Sequence, residues 1–141
     1  MHNSTYQTQL RAELEANYLC TYINQYKQHY ANMAYINLHT DIGSNSYNVE
    51  HDMLLPLIND AFRFGVFKVD APAIMFDLQL NSNSLTFSVH YRTSNQIHDE
   101  RTRVVYMRIK QKLESLYPGT HLLYRDYCLN TYLVILQIHF N

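Results

Sequence analysis

Between Ala73 and Tyr91 the chain alternates apolar and polar residues in two runs, separated by four polar residues. In AIMFDLQL (73–80), Ile74, Phe76, Leu78 and Leu80 share one face. In LTFSVHY (85–91), Leu85, Phe87, Val89 and Tyr91 do the same. A period of two belongs to a pleated strand with one buried side. The linking NSNS (81–84) is turn chemistry, so the two strands pair as an antiparallel hairpin. Helices packed on one side of a sheet are the simplest cover for such a face.

The flanking sequence supplies those helices. Leu10, Leu14, Tyr18, Tyr22 and Tyr26 recur every four residues, with Leu19, Ile23 and Tyr30 beside them, which predicts a helix over 6–30. Thr5 or Thr8 would cap it. Residues 34–40, AYINLHT, place Ile36 and Leu38 on one side of a short strand, and 41–48 read as a turn. A second helix is expected over 52–64, with Asp52 as N-cap, Pro56 in the first turn and Gly65 as the stop. Its buried stripe is Leu54, Ile58, Ala61 and Phe62. Residues 92–102 are polar and read as a loop, with His98, Asp99 and Glu100 solvated. A third helix over 103–117 turns Val105, Ile109, Leu113 and Leu116 inward and ends at YPGT. Strands near 120–127 and 131–140 follow, the second with Val134, Leu136, Ile138 and Phe140 on one face. The expected fold is a two-layer α/β (α+β) sandwich, a mixed and mostly antiparallel sheet with three helices on one face.

Composition narrows the function. A chain of 141 residues, 47% apolar and 16% charged, can bury a real core as one domain. A net charge of −1 gives no electrostatic reason for a nucleic-acid or membrane partner. No apolar run approaches the ~20 residues of a membrane helix, and the polar N-terminus lacks a secretory signal. A cytoplasmic segment with reduced Cys20 and Cys128 is expected. The eight histidines show no HxH or HxxxH spacing, so no metal site is expected from them. Thirteen tyrosines contrast with only three glycines, Gly43, Gly65 and Gly119, which leaves few places for a phosphate-cradling loop.

Three segments carry a resemblance. LLPLINDAFRFGV (54–66) is similar to the N box of LytS-like sensor histidine kinases, LxPLVENAxKHG. MRIKQKLESLYPGTH (107–121) resembles that family's NVRxRLELLYPGxH helix, and LRAELEANYLCTYINQYKQHY (10–30) its connecting segment. Order and spacing agree over nearly the whole chain. The resemblance implies a GHKL-type ATPase domain, with 1–33 as the connecting helix and 34–141 as the core. In that family ATP is held between helices and a flexible lid.

The departures fall on the chemistry. Asn59 and Asp60 stand at the family's base and magnesium positions. Asn59 cannot accept a proton at neutral pH, whereas Asp60 keeps an oxygen suited to magnesium. Arg63 could still meet a phosphate, and Phe64 could not. Tyr91 stands where an acidic residue or Asn reads adenine in that family, and Arg92, Thr93, Ser94 and Asn95 follow it without a glycine. Arg103 and Val105 match the lid glycines, and Arg108 matches the lid asparagine. The expected domain is therefore degenerate and catalytically silent. No cofactor is expected, with ATP and magnesium bound only if the pocket survives. The partner would be a sensor kinase, a LytTR-type response regulator or a second copy. A functioning kinase domain with altered contacts is the alternative. Tyr18, Tyr22, Tyr26 and Tyr30 are either a contact surface or the helix's cover on the sheet. Arg101, Arg103, Arg108, Lys110 and Lys112 read as a solvated helix face.

Overall fold

A computed structural model describes residues 9–29, 36–65, 74–93 and 98–140. In chain order they form β1 (Gln9–Arg11), α1 (Ala12–His29), β2 (Ile36–Ile42), β3 (Asn48–Glu50), α2 (Leu55–Phe64), β4 (Ile74–Leu80), β5 (Ser84–Arg92), α3 (His98–Leu116), β6 (His121–Cys128) and β7 (Thr131–His139). Thr5, Thr8, Tyr30, Ser94 and Asn95 lie outside the described residues.

The main sheet has five strands in the order β2-β4-β5-β7-β6. β2 and β4 run parallel, and every other neighbour pair is antiparallel. The predicted hairpin forms as read: Ile74 sits opposite Tyr91 and Leu80 opposite Leu85. Its inner face continues across β7, where Phe87 meets Leu136 and Tyr91 meets Tyr132. All of these residues are buried. α1 lies against β2 and β4, α2 against β5, and α3 against β6. This is the expected mixed sheet with three helices on one face.

The helix boundaries needed correction. α1 starts at Ala12 because Leu10 pairs with Val49 in a small β1–β3 sheet. Its buried residues are Ala12, Glu15, Ala16, Leu19 and Ile23, while Leu14 and Tyr18 face outward. A strict four-residue repeat advances about 40° per step around a helix of 3.6 residues per turn. The Leu–Tyr row therefore winds off one face, and only its later members Tyr22 and Tyr26 pack on the core. The 41–48 turn is shorter than expected, since Asp41 and Ile42 complete β2 and Asn48 opens β3.

α2 begins three residues after Asp52. Leu54 occupies the N-cap position without a side-chain cap bond, and Pro56 sits in the first turn. Asp52 instead takes a left-handed conformation, with φ of 63°. Gly65 does end α2, but in extended backbone. Its glycine is required by proximity: an added Cβ would lie 2.6 Å from the carbonyl oxygen of Ala61. α3 starts at His98, so residues 98–102 are helix and not loop. Ile109 and Leu113 are buried as predicted, and Val105 packs against the core, but Leu116 is exposed. No helix among the described residues is long and apolar enough to cross a membrane.

Candidate functional site

α2 carries Asn59, Asp60 and Arg63 along one stretch, and α1 fixes its position. The Tyr22 hydroxyl donates to Asn59 Oδ1 at 2.7 Å. One turn on, Tyr26 stacks on Phe62 with centroids 4.1 Å apart and planes 12° from parallel. Tyr22 and Tyr26 thus serve the interior contact between two helices, and Tyr18 remains exposed. Asn59, half-buried, spends its acceptor on α1.

Asp60 is 8% exposed, and its Oδ2 has no hydrogen-bond partner among the described residues. Burial pushes its pKa up to about 6, against the opposing pull of the Arg63 guanidinium. Arg63 itself is exposed, with its guanidinium 6.0 Å from the centre of the Phe64 ring. A carboxylate stranded this way is a hard oxygen donor without a ligand.

Tyr91 lies near it in the core, 1% exposed. Its ring centroid is 5.4 Å from that of Tyr132, its partner across β5 and β7. Burial raises the Tyr91 pKa, and the Asp60 charge adds to the rise. Burial raises Tyr132 too, with hydrogen bonds from Thr102 and Arg125 opposing. Arg125 is the residue the sequence reading missed. Its Nε donates to the Tyr132 hydroxyl at 3.0 Å and its Nη2 to Thr102 Oγ1 at 3.3 Å. The guanidinium also lies over the rings of Tyr132 and Tyr106, at 5.2 and 5.8 Å. The available signal was its place in β6, on the same face as Leu123.

The remaining candidates part company. Arg103 is exposed on α3. Arg108 lines a cleft of about 220 Å³ together with Asp52, Met53, Pro56, Ile109 and Lys112, and neither Asp60 nor Tyr91 borders it. The structure therefore brings Asp60 close enough to act on Tyr91, with Arg63 acting on the carboxylate, and puts Arg108 in a separate cleft.

No family model matches the sequence, and no curated protein matches it. The fold does find relatives among solved structures. The histidine kinase AdeS of Acinetobacter baumannii superposes with a TM-score of 0.61 at 10% identity, covering 94% of this chain and 68% of that one. The catalytic domain of histidine kinase ThkA gives 0.54 at 11% identity, covering 94% of each chain. The histidine kinase domain of the E. coli osmosensor EnvZ gives 0.51 at 12%, covering 94% of this chain and 88% of that one. The chain thus has the fold of histidine kinase catalytic domains, the GHKL architecture. At these identities the likeness is one of fold.

Proposed function

We propose that this chain is a LytS-like signalling domain that keeps the kinase catalytic fold, has lost nucleotide chemistry and acts by contact with a two-component partner. The burial of Tyr91 carries the reading. An adenine amino group needs an acceptor in an open slot, and here a phenol is packed against Tyr132. Opening that slot would expose the aromatic pair and strip Arg125 of its acceptor.

The phosphate side supports the same view. A helix offers phosphate only the free N–H groups of its first turn. Arg103 and Val105, at the lid-glycine positions, lie in the interior of α3, which begins at His98. Their N–H groups belong to the helix ladder, and their side chains occupy the space a glycine would leave. Asn59 offers no base and is held by Tyr22. The residues present do not fit a triphosphate, and no phosphotransfer step is derived from them.

The partner class rests on a neighbour. ThkA has been solved in complex with the response regulator TrrA, a match with a TM-score of 0.53 at 12% identity, covering 95% of this chain and 42% of that one. Here a LytTR-type response regulator, a sensor kinase or a second copy would fill that role in the cytoplasm. Calorimetry with ATP and magnesium tests the loss of chemistry: no heat is expected at millimolar nucleotide, and micromolar binding would overturn it.

One observation favours a second reading. The orphaned Oδ2 of Asp60 could hold magnesium, with Arg63 or Arg103 on phosphate. That version predicts a rise in melting temperature with ATP and magnesium, because a ligand of the native state alone must stabilise it. An unchanged melt at millimolar nucleotide eliminates it.

A further inference from the structure

Outside the kinase-like site, Glu15, His51 and Asp52 converge from α1 and from the turn ahead of α2, and their ligand atoms all lie within 4.8 Å of one another. Glu15 is almost wholly buried. Its Oε1 lies 2.7 Å from His51 Nδ1, and its Oε2 accepts the backbone N–H of Asp52 at 3.0 Å. Each of its oxygens is thus engaged in holding one of the other two residues in place.

That arrangement fixes the histidine's proton. Facing a carboxylate at 2.7 Å, Nδ1 is the donor. The hydrogen bond to Glu15, with the charges of Glu15 and Asp52, raises the pKa of the ring, so Nε2 carries either a proton or, when the ring is neutral, a bare lone pair. This nitrogen faces Asp52 Oδ2, another acceptor, at 3.3 Å. Two acceptors at that distance need a positive centre between them.

We propose that His51 Nε2 and the Asp52 carboxylate bind a borderline divalent metal ion such as zinc, with Glu15 as the residue that positions the imidazole. Two ligands on a tetrahedral ion with bonds of about 2.0 Å stand about 3.3 Å apart, which is the separation found. A buried carboxylate on the far nitrogen is the usual support of a metal-bound histidine. A proton between Nε2 and Oδ2 would relieve that pair alone. It would leave Asp52 Oδ1, buried and without a well-formed hydrogen bond among the described residues, to the Tyr18 hydroxyl that lies beside the same carboxylate. A metal can use both carboxylate oxygens. Asp52 sits in left-handed backbone, which aspartate enters more readily than most residues. Imidazole with carboxylate suits zinc or nickel better than a purely hard cation. Water completes the coordination. The Tyr18 ring stands against the imidazole, with centroids 4.9 Å apart. Arg108 and Lys112 border the same cleft as Asp52 and set a limit on affinity. The ion would staple α1 to the start of α2.

The test uses the full chain after chelator treatment. Titration with zinc chloride is followed by calorimetry, by thermal melting and by the ring nitrogen signals of His51 in 15N spectra. One site with a Kd on the order of 10 µM is expected, with a higher melting temperature and a shift of the His51 Nε2 signal. His51→Ala and Asp52→Asn should each weaken binding at least tenfold. Glu15→Gln, which keeps an acceptor for Nδ1, should weaken it only severalfold. Binding that survives His51→Ala, or a His51 Nε2 signal unmoved by saturating zinc, overturns the proposal. So does a melt that follows pH but not zinc, which leaves a proton as the bridge. The spectra of the unmodified chain decide the matter even if a variant fails to fold.

Discussion

Two carboxylates are buried among the described residues, and they live under opposite conditions. Glu15 has a histidine on one oxygen and a backbone N–H on the other. Asp60 has an oxygen with no hydrogen-bond partner among the described residues. Burial raises the pKa of both. At Glu15 the bonds to His51 and Asp52 oppose that rise, and at Asp60 only the more distant Arg63 does. A satisfied buried charge is an organiser of structure, whereas an unsatisfied one is a cost retained for, or left over from, another purpose. Glu15 explains why α1, β3 and the entry to α2 meet as they do. Asp60 contributes nothing visible to the fold, and it stands where the resemblance places the magnesium ligand.

Mutating each should separate them by sign. Glu15→Ala leaves the His51 ring and the Asp52 N–H without their acceptor and should destabilise the fold by about 3 kcal/mol, measured by urea unfolding. Asp60→Asn should do the reverse and stabilise by about 1–2 kcal/mol at pH 8. The sign follows from linkage. The folded pKa of about 6 lies above the ordinary 3.8, so the native state holds the proton more tightly than the unfolded chain. The penalty of the ionised group is complete above pH 6. It fades as pH falls from 6 towards 4 and is gone below both values. Asn and Asp should therefore converge in stability at pH 4 and part at pH 8. A gap that does not change with pH would mean that Asp60 has a partner in solution.

Much of the fold was legible because its strands are one-sided. The alternation in β4, β5 and β7 placed every residue named from it on the inner face, since a strand with one wet face has no other way to hide its apolar set, but Tyr132 on the same face of β7 was not named. β1 and β3 were not legible, because three residues each are too few to show a period. The start of α3 was hidden by polar residues 98–102, where Glu100 and Arg101 are exposed and Thr102 is buried. The site was legible in parts. Asp60 and Tyr91 were named through their place in the resembling motifs. Arg125 belongs to no such motif, and its partners Thr102 and Tyr132 sit in other elements. Asp52 was read as a helix cap because its demand comes from Glu15, which lies 37 positions upstream.

The α1–α2 contact offers a finer version of the same comparison. Tyr22→Phe removes the hydroxyl that meets Asn59 and keeps the ring. Asn59 is only half-buried, so water can take over part of its acceptor, and a loss of about 1 kcal/mol is expected. The smallest effect belongs to Leu14. The four-residue row makes it equivalent to Tyr22, while the structure leaves it 55% exposed. Leu14→Ala should then cost no more than about 0.5 kcal/mol, the range of an exposed helix position where alanine's propensity offsets lost contact. Leu19→Ala, on the buried side of the same helix, supplies the control at about 2–5 kcal/mol. Equal losses at the two leucines would mean that α1 is rotated from the orientation described, and that the Glu15 bonds to His51 and Asp52 do not set it.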